Sequence, residues 1–186
     1  MNSDMIERLL LSRSHVAEEL ELPSQTRKCE EEGGCGVVGF CCTEPVPARH
    51  IHEPSRQMHN RGNGKGGGIA ALGFIPEQLG VNQEILNEYY MIHIAFLDPG
   101  IRSVLEGKYI SQYLDIAVSH KLETVDDWTS VEGLEAKPPD VWRYFVRVKQ
   151  DVLNSFITKN EFVNLDRNEA ESEFLNQNSI RLNQEF

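Results

Sequence analysis

Ten consecutive residues of this chain, 59–68, read HNRGNGKGGG and contain five glycines. Glycine destabilises the interior of a helix or strand by roughly 0.5–1 kcal/mol relative to alanine, so such a stretch favours a loop. Residues 43–68 also contain three prolines, which interrupt regular structure. The sequence therefore predicts that residues 43–68 are loop for most of their length. Two short apolar segments, residues 35–42 (CGVVGFCC) and 69–74 (IAALGF), flank it and are predicted to be buried strands.

The remaining residues alternate between helical and strand-like patterns. Apolar spacing and capping residues predict helices over residues 4–21, 98–117, 151–159 and from a capping Asp166 towards the C-terminus. Glu169 completes a capping box with Asp166. Apolar or alternating runs predict strands over residues 88–97 and 143–149. Polar segments with glycine or proline predict loops over residues 23–34 and 119–140, and the mixture favours an α+β fold.

Charge and composition exclude several classes of protein. The 186 residues carry 29 acidic and 18 basic side chains, a net charge of −11, whereas a nucleic-acid-binding protein needs a basic face. The sequence has no apolar run of the roughly 18 residues that a membrane span requires, and no signal peptide. We therefore expect a cytoplasmic protein with no nucleic-acid or membrane partner. Its four cysteines are expected to be thiols: Cys29, Cys35, Cys41 and Cys42.

The glycine-rich loop does not match the generic nucleotide-binding motifs. A P-loop needs glycine at the place held by His59, and serine or threonine at the place held by Gly66. Residues 62–67 fit G-x-G-x-x-G, but they follow a polar loop and precede a predicted strand. The dinucleotide motif instead follows a strand and opens a helix. The sequence therefore does not favour nucleotide binding here.

A metal-binding loop is one alternative, because Cys41, Cys42, His50, His52 and His59 lie close together in the sequence. Zinc ligands are usually spaced as C-x2–4-C and H-x3–5-H, and these cysteines are not. Buried structural thiols and solvated histidines are the favoured interpretation.

Cys35 follows Gly33 and Gly34, at the junction between residues 1–34 and the apolar segment. If the chain were cleaved before Cys35, the thiol and a free α-amine would belong to one residue. An α-amine has a pKa of about 7.7–8.0 and a free cysteine thiol one of about 8.5, so the amine can accept the thiol proton. Before cleavage this nitrogen is an amide and has no basic lone pair. Residues 1–34 are therefore predicted to be a propeptide-like leader, a helix and a linker, that keeps the thiol inactive.

Three sequence features together carry a family resemblance. They are Cys-Gly-Val-Val-Gly-Phe from Cys35, His-x-Arg-Gly in the loop, and the Gly-Gly-Ile-Ala that follows. This pattern resembles class II glutamine amidotransferases, which are N-terminal-nucleophile hydrolases, and in particular the glutaminase domain of glutamate synthases. The resemblance covers residues 35–186. It implies an α+β fold that is part of the four-layer αββα architecture of N-terminal-nucleophile hydrolases.

The resemblance also implies roles for single residues. Cys35 would attack the side-chain amide of glutamine, forming a thioester and releasing ammonia. Arg61 and Gly62 match the family's Arg-Gly pair beside the nucleophile, and Gly67 and Gly68 would let the next strand pass close to it. The implied partner is an ammonia-accepting synthase domain or subunit, which would hold flavin and an iron–sulfur cluster. No cofactor or metal is expected in this chain.

Later parts of the family's site have no counterpart in this sequence. No Asn-Gly pair for an oxyanion hole follows the glycine-rich loop, and no arginine in a strand–turn context can clamp the substrate carboxylate. A single oxyanion-hole donor contributes about 10²–10³ in rate. The last predicted helix has apolar residues as far as Phe186, which favours a domain truncated at its C-terminus. The alternative function is therefore a catalytically incomplete fragment that acts as a partner-binding subunit or pseudoenzyme.

Overall fold

The computed structural model describes residues 3–22, 36–58, 61, 68–132, 134, 136–162 and 164–186. These residues form six α-helices and one antiparallel sheet of three strands. The helices are α1 (Ser3–Glu19), α2 (His52–Gln57), α3 (Gln83–Glu88), α4 (Arg102–Leu105), α5 (Gln150–Lys159) and α6 (Arg167–Glu185). The strands are β1 (Tyr90–Phe96), β2 (Leu114–Lys121) and β3 (Asp140–Val148). The fold class is α+β, as predicted.

Strand β3 lies at the centre of the sheet and pairs antiparallel with both of the others, in the order β1-β3-β2. Tyr90 of β1 lies opposite Val146, and the pairing continues along the whole of β1. The register of β2 against β3 shifts once, at a bulge between Ile116 and Val118. Strands β1 and β2 therefore depend on the same neighbour for their sheet hydrogen bonds.

Alternate side chains of β3 form the centre of the hydrophobic core. Tyr144 and Val146 are 0% exposed and Val148 is 2% exposed. Burial of one large apolar side chain contributes about 1.5–3 kcal/mol. These three residues cluster with buried residues of both edge strands, of α4 and the helical turn after it, and of α5 and α6, namely Ile94, Phe96, Leu105, Ile110, Leu114, Leu153, Ala170 and Leu175. The sheet and the helices packed on it are thus the most strongly stabilised part of the described chain.

Elements with a clear local pattern agree with their predictions. Strands β1 and β3 and helices α1, α5 and α6 are confirmed, within a few residues at each end. Helix α6 begins at the predicted capping box. The Asp166 carboxylate accepts a hydrogen bond from the Asn168 N–H at 2.6 Å, and the Glu169 carboxylate accepts one from the Asp166 N–H at 3.3 Å. A cap of this kind satisfies helix N–H groups that have no partner inside the helix.

The helix predicted over residues 98–117 is too long. Asp98 caps its start as predicted, accepting a hydrogen bond from the N–H of Gly100 at 2.8 Å. The helical segment continues through α4 and ends at Ile110, after a widened π-helical turn. The residues that follow form β2, because pairing with β3 overrides their local preference. The predicted loop over residues 119–140 consequently begins only after β2.

The two strands predicted beside the glycine-rich loop are wrong where the structure describes them. Residues 36–42 and 68–74 have no strand pairing. Most of their apolar side chains are exposed, Val37 by 85% and Leu72 by 98%. A short apolar run forms a strand only when a neighbouring backbone is available to bond its N–H and C=O groups. The described residues offer these two segments no such neighbour.

The chain divides into two compact units, which we call the sheet unit (Met1–Leu22 and Gly80–Phe186) and the loop unit (Pro23–Leu79). Helix α1 belongs to the sheet unit, although the sequence analysis placed a boundary after residue 34. Cleavage at that boundary stays a prediction, because residues 23–35 lie outside the described part of the chain. Among the helices that the structure describes, none combines the length and apolar character needed to cross a membrane.

Candidate functional site

The candidate site lies in the loop unit. The proposed nucleophile Cys35 lies outside the described residues, as do Gly62 and Gly67. Arg61 is described and exposed. A Cβ atom placed on Gly68 would meet no atom within 4 Å among the described residues, and the expected approach of Gly67 and Gly68 to the nucleophile stays a prediction.

Gly36, which directly follows Cys35, lies against the turn that carries Arg61. A Cβ atom added to Gly36 would lie 2.8 Å from Met58 Cβ, 3.0 Å from Met58 O and 3.3 Å from Arg61 Cβ. Any side chain larger than hydrogen would therefore collide with the turn. The structure thus brings the residue after Cys35 into contact with the residue before Gly62, although a loop separates them in the sequence.

The turn at Arg61 is built by the end of helix α2. The helix ends at Gln57, and the N–H of the capping residue Met58 donates to the Ser55 carbonyl at 3.0 Å. The Arg61 N–H then donates to the Met58 carbonyl at 2.9 Å. Ser55 Oγ also donates to the Ile51 carbonyl at 2.7 Å, within the same helical turn. Local hydrogen bonds therefore position the Arg61 backbone, and its exposed side chain can contact a ligand.

The cysteines and histidines of the loop unit are mostly on its surface. Cys41 and Cys42 are exposed and not joined in a disulfide, so their interpretation as buried thiols is wrong. His50 and His52 are exposed, as expected for solvated histidines. A shallow apolar depression of about 430 Å³ is lined by Phe40, Cys42, Val46, His50 and Pro54.

The metal-binding alternative depends on several of these side chains meeting. Within the described ranges, no three histidine, cysteine, aspartate or glutamate side chains come together to hold a metal ion. A structural zinc ion is almost always held by four ligands. His59, one of the five residues in that alternative, lies outside the described ranges.

Three polar side chains, not predicted to lie together, form a row across the three strands of the sheet. Arg143 of β3 lies opposite His93 of β1 and His120 of β2. Arg143 Nε donates a hydrogen bond to His93 Nε2 at 2.8 Å. Partial burial, followed by the positive charges of Arg143 and His120, lowers the pKa of His93 below its usual 6.5. His93 is therefore neutral at pH 7. Alternation along β3 could have placed Arg143 on the face opposite Tyr144, but the two histidines join it only through strand pairing.

The charged groups around Tyr144 have a structural role. Tyr144 OH donates to Glu106 Oε1 at 2.7 Å, and Arg102 Nε donates to the same oxygen at 2.9 Å. The Arg102 guanidinium also lies 3.2 Å from the centroid of the Trp142 ring. Burial, followed by the hydrogen bond to Glu106, raises the pKa of Tyr144 far above its usual value, so the hydroxyl keeps its proton. These contacts fasten the helical segment to β3.

Comparison with known proteins identifies no family for this chain. No protein-family profile matches it. An uncharacterized protein of Archaeoglobus fulgidus is 31% identical over 90 residues, which are 48% of this chain and 20% of that relative. The chain therefore spans about a fifth of that relative's length over the match. No solved structure matches the chain.

Proposed function

We propose that this chain is a glutaminase domain of the class II glutamine amidotransferase type, with Cys35 as its nucleophile. The domain would hydrolyse the side-chain amide of glutamine to glutamate and ammonia. Its finer architecture would be part of the four-layer αββα fold of N-terminal-nucleophile hydrolases. The sequence pattern from Cys35 through Arg61 and Gly62 is the starting point for this proposal.

The observation that carries the proposal is the contact between Gly36 and the Arg61 turn. A nucleophile and its positioning group must lie close together, and here their neighbouring backbones do. The 2.8 Å and 3.3 Å distances from a Gly36 Cβ to Met58 Cβ and Arg61 Cβ leave room for glycine alone. This contact gives a physical reason for the glycine of the Cys-Gly pair, which lies beside the turn that carries Arg61.

The proposed chemistry begins with hydrolysis of the peptide bond before Cys35, which creates a free α-amine. This amine accepts the thiol proton, and the sulfur attacks the amide carbon of glutamine. Collapse of the adduct forms a glutamyl thioester and breaks the carbon–nitrogen bond, and the leaving nitrogen takes up the proton and departs as ammonia. Water then hydrolyses the thioester, releasing glutamate and restoring the thiol. One glutamine and one water thus give one glutamate and one ammonia.

Arg61 and Gly62 would position the new amine and the thiol. Because the Arg61 backbone is held by its hydrogen bond to Met58 at 2.9 Å, its guanidinium projects from a defined point near Gly36. A fixed positive charge beside a cysteine also favours the thiolate, which is the reactive form. A thiol nucleophile favours a reducing compartment such as the cytoplasm.

The proposed partner is a synthase domain or subunit that consumes the ammonia. Ammonia is lost to solvent unless an acceptor site is close, so a glutaminase of this kind works beside its acceptor. Any flavin or iron–sulfur cluster for glutamate synthesis would belong to that partner. The chain itself uses only the thiol, the amine and water for the hydrolysis described above.

The decisive experiment follows the N-terminus and the thiol of the purified full chain. We expect a species that begins at Cys35 and gains one adduct mass from a diazo-ketone analogue of glutamine. Cys35→Ser should abolish both the adduct and any release of ammonia from glutamine. Cys41→Ser is the matched control, because Cys41 is exposed and unbridged, and it should change neither. Ammonia release that persists in Cys35→Ser would refute the proposal.

A second candidate function, a partner-binding and catalytically incomplete subunit, is favoured by exposed apolar side chains in the loop unit. Val37, Ile69 and Leu72 are 85%, 75% and 98% exposed. A partner that covers these side chains would remove their apolar surface from water, which favours binding. A chain that begins at Cys35 yet takes up no glutamine analogue would support this candidate. Replacing Ile69 and Leu72 with serine should then lower the binding of a hydrophobic dye.

A further inference from the structure

Helix α1 is held in the sheet unit by one buried stripe. Met5 and Val16 are 4% exposed and Ser12 is 5% exposed. Their spacing places all three on one face of the helix. Glu7 and Glu18 are exposed, as expected for positions off this face. Residues that the sequence analysis assigned to a removable leader therefore form part of a folded interface.

The polar part of this interface lies on α6. Arg13 Nε donates to Glu173 Oε1 at 2.9 Å, and Arg13 Nη2 donates to Glu173 Oε2 at 2.6 Å. Gln177 Nε2 donates to Ser12 Oγ at 2.8 Å and to Glu173 Oε1 at 3.0 Å. Glu173 and Gln177 are only 6% and 3% exposed. Two residues of α1 thus complete the hydrogen bonding of two buried polar residues of α6.

Ion pairs near both ends of α1 add to this network. Arg181 of α6 pairs with Glu19 at 3.1 Å. Arg8 pairs with Glu161, which precedes α6. Such partly exposed pairs contribute little energy, but they oppose a sliding or rotation of one helix along the other.

Removal of α1 would take away the Arg13 and Ser12 contacts of two buried polar residues of α6, leaving Glu173 and Gln177 with their bond to each other. The Glu173 carboxylate would lose both hydrogen bonds from Arg13, and breaking one side of a buried ion pair is strongly unfavourable. The face that Met5 and Val16 cover would be exposed to water. Separation of α1 is therefore opposed by charge, hydrogen bonding and apolar burial together.

We infer that the face of α6 with Glu173 and Gln177 is a docking site for the chain's own N-terminal helix, and that α1 stays bound after the chain is cut. The inference rests on the proposed function only for the natural cut before Cys35. When the chain is cleaved before Cys35, the mature protein is a non-covalent complex of the leader and residues 35–186. Cleavage would free the α-amine of Cys35 without releasing the leader.

An engineered cut tests retention independently of Cys35. A recognition sequence for a site-specific protease replaces residues 24–30, and the folded chain is then cleaved. We expect both pieces to elute together on size-exclusion chromatography at micromolar concentration, and to separate only in denaturant. Loss of the α1 piece under native conditions would overturn the inference. Absence of a natural cut at Cys35 would instead count against the proposed function.

Substitutions on α1 identify the contacts that retain the cut helix on α6. Arg13→Gln should speed the release of the cut α1 piece about tenfold, because it removes the positive charge that pairs with the buried Glu173 carboxylate. Val16→Asp should release the piece during chromatography. Glu18→Ala is the matched control on the exposed side of the helix, and it should not alter retention. Equal release rates for Arg13→Gln and Glu18→Ala would contradict docking through Glu173.

Discussion

Gly36 lies where a hydrogen atom fits on the Cα atom but a side-chain carbon does not. Its neighbours leave no space for a methyl group on the side of Met58, and the close atoms include the Met58 carbonyl, which cannot rotate away. Gly39 is different, because a Cβ atom there would meet nothing within 4 Å. The two glycines of the same short segment therefore provide a test of the candidate site and its own control.

We expect Gly36→Ala to lower the rate at which Cys35 is labelled by the diazo-ketone analogue by about tenfold. A forced overlap typically costs about 1–3 kcal/mol, and about 1.4 kcal/mol corresponds to a factor of ten. Gly39→Ala should leave the labelling rate unchanged. The rates are measured by intact-mass kinetics on chains that begin at Cys35. Equal effects of the two substitutions would show that the Gly36 contact does not serve the nucleophile.

Helix α1 is held by hydrogen bonds to α6, which is distant from it in the sequence. Burial alone raises the pKa of Glu173, but the hydrogen bonds from Arg13 and Gln177 outweigh it and leave the pKa below its usual value. The folded state therefore favours the charged carboxylate. As the pH falls, the Glu173 carboxylate of the unfolded chain takes up a proton near pH 4.5, its ordinary pKa, and that of the folded chain does so only at a lower pH. The stability that the charged Glu173 carboxylate gives the folded state is fully present above this ordinary pKa. It is lost as the pH falls through the lower, folded-state pKa.

We therefore expect the free energy of unfolding to decrease as the pH falls from about 5 to 3. Urea titrations followed by circular dichroism measure this decrease. Hydrogen bonds from Arg181 and Lys108 lower the pKa values of Glu19 and Glu185 as well, so several carboxylates contribute. Glu173→Gln should cost about 1–2 kcal/mol at pH 7, less than a fully buried pair because the Arg13 side chain is 54% exposed.

Glu173→Gln should also reduce the decrease in the free energy of unfolding between about pH 5 and pH 3. Glu18→Gln is the matched control for loss of one negative charge, because Glu18 is exposed on α1. It should leave both the stability at pH 7 and the shape of the curve almost unchanged. A wild-type slope in the Glu173→Gln variant would exclude Glu173 as a source of acid sensitivity.

Elements were predictable where their signal is local. The Asp166 and Glu169 capping box and the alternation of β3 need only neighbouring residues, and both are present in the structure. Strand β2 was missed because its sheet hydrogen bonds come from β3, which lies later in the sequence. The strand predicted over residues 36–42 is wrong for the opposite reason, since the described part of the chain offers this apolar segment no strand to pair with. Pairing between distant segments is the information that a local pattern lacks.

The candidate site was predictable only in part. The amine–thiol chemistry of Cys35 follows from one cysteine after two glycines, and it remains a prediction. The contact between Gly36 and the Arg61 turn depends on how α2 folds, which residue types alone do not reveal. The row of His93, Arg143 and His120 was missed because its members come from three different strands.

At the scale of the whole molecule, the two units differ in how their backbones are protected. In the sheet unit, β3 is bonded on both edges, and Tyr144, Phe145 and Val146 are 0% exposed. In the loop unit, residues 36–42 and 68–74 have neither helix nor strand bonds. Amide exchange reports this difference directly, because an amide exchanges only when its hydrogen bond opens.

We expect the amides of β3 to exchange at least about a hundredfold more slowly than those of residues 36–42 and 68–74. Hydrogen–deuterium exchange with peptide-level mass spectrometry measures both sets in one experiment. Slow exchange of residues 36–42 in the isolated chain would contradict the unpaired conformation described above. Protection that arises only when a synthase partner is added would favour the four-layer architecture.

The strand order also determines when this protein can fold during its synthesis. Strands β1 and β2 leave the ribosome before β3, and neither has a partner in the sheet until residues 140–148 have been made. Helix α1 is likewise synthesised long before its polar partners Glu173 and Gln177. A unit whose contacts join segments far apart in the sequence gains little from folding before the later segment has been made. The sheet unit therefore cannot be completed during synthesis until α6 has left the ribosome.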